Sequence, residues 1–268
     1  MLSLAGAHHR YITSSARAIE RPQAFDARTA MRFANLPDLA PYGLRDMTVV
    51  YTSELWPKNA DRSDPDLSFI QSEAIPRIRE KATDLIAIDV EHWDLNGISE
   101  HALQRNARRY TAILDTFRTH LPALRHGLYG MVPVRNYWTP VHGKSGEMSA
   151  WRAENEQLKP IADAADVVFP SLYTFYDDRD GWLTYAHANI AEAKRYERPV
   201  YPFLWPQYHK SRDPIDRDFW RLQLETVFSN ADGMVIWTPA RGKPRWNPDA
   251  PWWQETIRFL AGLSSLQR

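Results

Sequence analysis

The 268-residue sequence contains no cysteine, which excludes disulfides, thiolate metal sites and a cysteine nucleophile. No apolar run approaches the roughly 18 residues that a membrane-spanning helix needs. The 33 basic and 33 acidic side chains balance, so the basic footprint of a nucleic-acid-binding protein is missing. The phosphate-loop and nucleophile motifs GxGxxG, GxxxxGK[ST] and GxSxG are also absent. From these absences we expect no nucleic-acid partner and no membrane-spanning helix. They also disfavour an open nucleotide-binding sheet.

The compartment stays open on sequence grounds. The first residues, "MLSLAGAHHR", are too short for the apolar region of a signal peptide. Such a start fits a cytoplasmic protein, or an exported one whose signal peptide has been removed. Lack of cysteine is compatible with both, and a periplasmic or secreted location is favoured over a cytoplasmic one. The sequence leaves the oligomeric state open.

Short apolar segments alternate with amphipathic ones along the whole chain. Strands are expected at 30–36, 47–53, 85–91, 126–132, 166–173, 199–205 and 233–238. Helices are expected at 66–81 (where Pro76 should produce a break or kink), 99–121 (capped by Ser99), 149–164, 182–196, 215–231 and 251–263. This alternation predicts an α/β fold, a single TIM-like (β/α) barrel of seven or eight parallel strands formed by residues 1–268 as one domain. Residues 8–27 are a candidate for the eighth strand.

The segment "DLIAIDVEHWDL", residues 84–95, places two carboxylates at the end of a buried strand. Residues i and i+2 of a strand point to the same side, about 6.6 Å apart, so Asp89 and Glu91 should both face the barrel axis. The C-terminal ends of barrel strands carry the catalytic groups of such enzymes. Like charges at this distance raise the pKa of one partner. A protonated Glu91 would then be able to donate a proton to a glycosidic oxygen.

Structural roles for these carboxylates are the alternative. Asp89 could cap the following helix, and Glu91 could pair with Arg105 or Arg135. A metal site formed by Asp89, Glu91 and His92 is disfavoured, because His92 should face away from both carboxylates. We therefore expect no metal and no cofactor.

Aromatic residues cluster at the same predicted face. The sequence has 11 Trp and 12 Tyr, and these side chains offer large amphipathic contact surfaces. Seven of them stand at or just after a predicted strand end: Trp56, Trp93, Tyr129, Tyr173, Trp205, Tyr208 and Trp237. This pattern predicts an aromatic cleft for a polysaccharide or oligosaccharide.

Six motifs in order resemble the hyaluronidase family of glycoside hydrolases. The segment "LIAIDVEHWDLNG" followed by "LQRNARRY" resembles the family block I-D-[WF]-E-x-W-x-P and the segment after it. The remaining similar segments are "MTVVYTSELWP", "HGLYGMVPVRNY", "VVFPSLY", "RPVYPFLWPQYH" and "ADGMVIWT". The resemblance implies an irregular β/α barrel that hydrolyses β-linked, N-acetylhexosamine-containing glycans with retention and without a metal.

The resemblance also implies roles for individual residues. Glu91 matches the general acid/base, and Asp89 matches the residue that orients the 2-acetamido group, whose oxygen is the nucleophile in this family. Tyr129 and Tyr173 match site tyrosines, and Trp237 matches the aromatic floor beneath the sugar. Further substrate contacts are expected from Trp205, Tyr208 and Trp93.

Two departures from the family pattern bear on the substrate. Val90 replaces an aromatic residue between the carboxylates, and Trp205 stands where the family has arginine. The missing arginine argues against an anionic, uronate-bearing polymer, so a hexosamine-containing or related glycan is expected rather than hyaluronan itself.

Three functions remain in competition. The first is a retaining, endo-acting glycoside hydrolase that uses Glu91. The second is a glycosidase of the same barrel that acts on a non-acetylated polysaccharide, with Asp89 or a distant carboxylate (Glu54, Asp177 or Asp178) as nucleophile or base. The third is a non-catalytic carbohydrate-binding barrel.

Overall fold

The computed structural model describes residues 25–239 and 244–266. Within these ranges the strands are β1 (Asp26–Ala30), β2 (Arg45–Asp46), β3 (Thr48–Tyr51), β4 (Leu85–Asp89), β5 (Arg125–Leu128), β6 (Phe203–Leu204) and β7 (Gly233–Trp237). All pairings between these strands are parallel. The strands form two ladders, in the orders β2-β1-β7-β6 and β3-β4-β5.

Additional hydrogen bonds connect the two ladders into a ring. Strand β2 continues into β3 through Met47, whose N–H donates to the carbonyl of Thr29 in β1. On the other side, isolated bridges pair Tyr129 with Phe169 and Ser171 with Phe203, so residues 168–171 lie between β5 and β6. The predicted α/β fold with a parallel TIM-like barrel is confirmed.

Helices cover the outside of the strands. They are α1 (Thr52–Leu55), α2 (Leu67–Phe69), α3 (Ile75–Lys81), α4 (Glu100–His120), α5 (Trp138–His142), α6 (Ser145–Glu156), α7 (Lys159–Ala164), α8 (Arg179–Lys194), α9 (Arg217–Asn230) and α10 (Pro251–Leu266). A 3-10 turn spans Ala40–Tyr42 and a π-helical turn spans Ile70–Ala74. Among the described helices, none is both long enough and apolar enough to cross a bilayer.

Local sequence signals explain most helix boundaries. Ser99 caps α4, because its hydroxyl accepts a hydrogen bond from the N–H of Ala102 at 3.3 Å. The helix expected over 149–164 is interrupted between α6 and α7, since Pro160 lacks the N–H needed to continue the ladder. Pro76 lies in the first turn of α3, directly after the π-helical turn, which agrees with the expected irregularity.

Two hydrophobic clusters separate the barrel interior from the layer between strands and helices. In β4, Leu85 and Ala87 belong to the interior cluster, whereas Ile86, Ile88 and the following Val90 belong to the outer one. This alternation follows from the two-residue period of a strand. It directs the odd-numbered positions of β4 and of the residues after it towards the barrel axis.

Two strand predictions were wrong in position or regularity. The first strand covers 26–30 rather than 30–36, because Asn35 adopts a left-handed φ of 59° in the following loop. The charged Asp26 and Arg28 concealed this strand, since they look unsuited to a barrel core. The segment 166–173 makes only single bridges, because Pro170 has no N–H for a ladder. Of the eighth-strand candidate, 8–24 lies outside the described residues, and 26–27 begin β1.

Candidate active site

Asp89 and Glu91 line one cavity at the C-terminal mouth of the barrel. Asp89 is the last residue of β4 and is partly buried, and Glu91 follows it after the outward-facing Val90. Both carboxylates border a cavity of about 190 Å³. The other lining residues are Val49, Tyr129, Tyr173, Phe203, His209 and Trp237. The two carboxyl groups therefore share a small, largely aromatic chamber.

A second cavity adjoins the first at Glu91. It has a volume of about 280 Å³ and shares Glu91 and Tyr129 with the carboxylate chamber. Arg135, on the loop after β5, lines it together with Trp93. Glu91 therefore lies where the two cavities meet.

The chamber keeps the carboxyl pair partly protonated. Burial raises the pKa of Asp89 to about 7, and the nearby charge of Glu91 acts in the same direction. Burial also raises the pKa of Glu91, against the opposing effect of the Arg135 guanidinium. Neither carboxylate has an ion pair or hydrogen bond to another side chain within 25–239 and 244–266. The pair can thus hold a proton near neutral pH, as acid catalysis requires.

Aromatic rings form the wall opposite the carboxylates. Tyr173 stacks on Trp237 with a centroid distance of 5.5 Å and an interplanar angle of 25°. The indole N–H of Trp237 donates to the hydroxyl of Tyr51 at 3.1 Å, and the hydroxyl of Tyr129 donates to Ser171 Oγ at 3.1 Å. These contacts fix the ring orientations, so the chamber has a pre-formed apolar wall with a polar edge.

Three predicted substrate contacts have other surroundings. Trp205 is buried behind Tyr173 and Trp237, at 5.5 Å and 5.3 Å between ring centroids, and lines neither cavity. Tyr208 also lines neither, because its hydroxyl donates to Asp177 at 2.7 Å. Trp93 borders the second cavity, but its indole N–H donates to the carbonyls of residues 62 and 63. Trp205 and Tyr208 therefore lie outside the two cavities, and direct sugar contact by them stays a prediction.

The distant carboxylates considered as an alternative nucleophile or base, Glu54, Asp177 and Asp178, already have structural roles. Glu54 accepts the N–H of Tyr51 and pairs with Lys81. Asp178 caps α8 by accepting the N–H of Gly181 at 2.9 Å, and Asp177 accepts the Tyr208 hydroxyl. The described residues also contain no group of three or more His, Cys, Asp and Glu side chains suited to a metal.

Sequence reasoning missed His209, which lines the chamber, and Tyr51, which holds the chamber's Trp237, and it misjudged the charge of the cleft. Tyr51 is paired in register with Asp89 at the end of β3, and strand-end position was a signal for it. His209 lines the chamber from the loop after β6, where only the fold places it. The inference that the cleft lacks an arginine was wrong, because Arg135 reaches it from a different loop than the one bearing Trp205.

Comparisons with known proteins give fold similarity without sequence similarity. No protein-family model matches the sequence, and no curated protein sequence matches it. Bee venom hyaluronidase is similar in structure, with a TM-score of 0.61, 16% identity, and coverage of 90% of this chain and 98% of that chain. The complex of bee venom hyaluronidase with a hyaluronic acid tetramer is similar with a TM-score of 0.61 and 15% identity, and the match covers 90% of this chain and 96% of that chain. An endo-β-1,4-mannanase from Thermotoga petrophila is similar with a TM-score of 0.50 and 13% identity, and the match covers 75% of this chain and 50% of that chain. The chain therefore has the TIM-barrel-like fold that these glycoside hydrolases share.

Proposed function

We propose that this protein is a glycoside hydrolase that cleaves a polysaccharide, with Glu91 as general acid/base. The observation that carries the proposal is the pair of carboxyl groups in one aromatic chamber at the mouth of the barrel, neither of them hydrogen-bonded or ion-paired to another side chain among the described residues. Asp89 is partly buried whereas Glu91 remains exposed to solvent in the cleft, and a partly buried carboxyl without a partner is costly. A site that only bound sugar would gain nothing from that cost, whereas proton transfer requires it.

The proposed reaction is retaining and assisted by the substrate. Glu91 donates its proton to the glycosidic oxygen while the bond from that oxygen to C1 breaks, and the 2-acetamido oxygen bonds to C1 from the opposite face. Asp89, ionised when Glu91 holds the shared proton, accepts the acetamido N–H and stabilises the positive charge that develops. Water then attacks C1 and passes a proton to the Glu91 carboxylate while the bond from C1 to the acetamido oxygen breaks, which regenerates the acetamido group and restores both carboxyl groups.

The proposed substrate is a β-linked polymer that contains N-acetylhexosamine and is cut within the chain. The structural likeness to a hyaluronidase bound to a hyaluronic acid tetramer supports a substrate of this class. Arg135 in the cleft is compatible with a neighbouring sugar acid. A polymer of this size is met outside the cytoplasm, which agrees with a periplasmic or secreted protein.

A panel of polysaccharides tests this function. The wild-type protein is incubated with hyaluronan, chondroitin, chitin oligomers, their de-N-acetylated forms and mannan, and new reducing ends are measured. We expect cleavage only where the 2-acetamido group is present, because its oxygen is the nucleophile. Cleavage of mannan or of de-N-acetylated polymers would overturn the assisted mechanism while retaining a glycosidase. Failure to cleave any polymer that nevertheless binds would indicate a carbohydrate-binding barrel.

The pH profile of Asp89→Asn tests whether the two carboxyls act as a pair. In the wild type, the active form carries one proton on two coupled groups, so kcat/KM should be bell-shaped, with a basic limb at or above the Asp89 pKa of about 7. Asparagine cannot ionise and does not repel the Glu91 carboxylate. We expect the residual activity of this variant to lose the acidic limb, and its basic limb to move to lower pH.

The control for this profile is Asp180→Asn, which neutralises an exposed carboxylate that lines neither cavity. Its profile should match that of the wild type. If the basic limb of Asp89→Asn stayed at the wild-type position, the two carboxyls would be titrating independently and the pair mechanism would be wrong.

A further inference from the structure

Trp138 is the most exposed large hydrophobic residue in the described part of the chain. It opens α5 on the loop after β5, and 55% of its surface is accessible. Tyr42, at 45%, is the other such residue within the described ranges, and its ring lies against Trp253 in α10. An exposed indole gains no stability from burial, so its presence on the mouth side of the barrel requires another explanation.

Neighbouring contacts hold Trp138 in place without covering it. Its ring stacks on His142 with a centroid distance of 5.6 Å and an interplanar angle of 27°, and it lies 5.1 Å from the ring of Tyr176. The start of α5 is fixed because Asn136 Oδ1 accepts the N–H of Thr139 at 2.9 Å. A pre-oriented aromatic face costs little further entropy when a ligand binds to it.

A line of aromatic side chains connects this face to the carboxylate cleft. Phe175 lies 6.5 Å from Tyr176 and 4.7 Å from His209, which lines the carboxylate chamber. The guanidinium of Arg135 lies 4.7 Å from the Phe175 ring and borders the second cavity. Ring contacts therefore link the exposed indole, through Tyr176 and Phe175, to His209 in the carboxylate chamber.

We propose that Trp138 forms a distal sugar-binding subsite, on which a ring of the polysaccharide stacks beyond the units held in the cleft. The C–H face of a pyranose is apolar and its hydroxyls are polar at the rim, which matches an indole bordered by the rings of Tyr176 and His142. This inference rests on the proposed function for its occupant, a glycan chain that runs through the cleft. It explains how the protein would favour long chains over short ones.

Binding by chain length tests the subsite separately from catalysis. The measurement uses Glu91→Gln, with and without Trp138→Ala, and hyaluronan and chitin oligosaccharides from disaccharide to octasaccharide, titrated by calorimetry. We expect Trp138→Ala to weaken octasaccharide binding about tenfold, the equivalent of about 1.4 kcal/mol, and to leave disaccharide binding unchanged. Trp138→Phe should restore most of the affinity, and Tyr42→Ala, the matched loss of an exposed ring, should change neither.

Each result decides the proposal. Unchanged octasaccharide affinity in Trp138→Ala, an equal loss for every chain length, or no binding of any oligosaccharide overturns the subsite. Length-dependent loss supports it, even if the wild-type protein cleaves no polymer, in which case the hydrolase proposal alone fails. If the wild type cleaves a polymer but Trp138→Ala binds the octasaccharide normally, the hydrolase proposal is retained and the subsite proposal is rejected.

Discussion

Replacing Glu91 by glutamine should lower kcat on the cleaved polysaccharide by about 10²–10⁴-fold, the usual contribution of a general acid/base. Glutamine keeps the size of the side chain but carries no transferable proton. The position makes no hydrogen bond or ion pair to a side chain within the described residues, so the variant should fold normally. KM should stay near the wild-type value, because the aromatic wall and Arg135 are untouched.

The leaving group provides a sharper test of the same role. A nitrophenolate leaves without protonation, whereas a sugar alcohol needs a proton in the transition state. Glu91→Gln should therefore retain far more activity, relative to wild type, on a nitrophenyl glycoside of the same sugar than on the polymer, when the first chemical step is measured by release of nitrophenol. Equal losses on both substrates would show that Glu91 does not donate the proton.

The matched control is Glu225→Gln, which removes a carboxylate from the exposed face of α9. Its kinetic parameters on both substrates should equal those of the wild type. A wild-type rate for Glu91→Gln itself would reject Glu91 as the acid/base.

Replacing Arg28 by methionine should lower the free energy of unfolding by about 1–3 kcal/mol, the usual cost of leaving a buried polar group without its hydrogen-bond partner. Arg28 lies in β1 with a side chain that is 0% exposed. Its guanidinium donates to both carboxylate oxygens of Asp84, at 2.6 and 2.8 Å, and to Asp26 at 2.7 Å. Methionine fills similar space but leaves these two carboxylates without their main donor. Chemical denaturation measures the loss.

Arg45→Met is the matched control, since Arg45 also contacts Asp26 but is 59% exposed. Exposed pairs contribute about 0–1 kcal/mol, so this variant should stay close to the wild type. A loss in Arg28→Met no larger than in Arg45→Met would contradict the role of the buried cluster.

The same cluster predicts acid sensitivity. Hydrogen bonds from Arg28 hold the pKa of Asp84 at about 2, below its ordinary value of 3.8. Between pH 2 and pH 3.8 the unfolded chain therefore binds more protons than the folded chain. The contribution of Asp84 to the free energy of unfolding is present above pH 3.8 and is lost as the pH falls towards 2. In Arg28→Met this decline should be shallower.

The Asp89–Glu91 pair can be predicted from the sequence, whereas the buried Arg28 cannot. The inward direction of Asp89 and Glu91 follows from the strand period alone, so the pair was recognisable without coordinates. Arg28 was unrecognisable, because its burial depends on Asp26 and on Asp84, which is 56 positions away in the sequence. A charged residue is expected at the surface unless the oppositely charged residues that pair with it are known.

Sequence patterns alone predict the parallel α/β alternation, helix α4 with its Ser99 cap and the carboxylate pair at the end of β4. These are local properties: hydrophobic period, capping chemistry and position along one strand. The three-dimensional packing of the loops, in contrast, establishes that Trp205 packs against Tyr173, that Tyr208 bonds to Asp177, and that Arg135 and His209 line the two cavities. These arrangements depend on how separate loops meet at the mouth of the barrel, and the distances between such loops are set by the closed ring of strands rather than by any segment of the sequence.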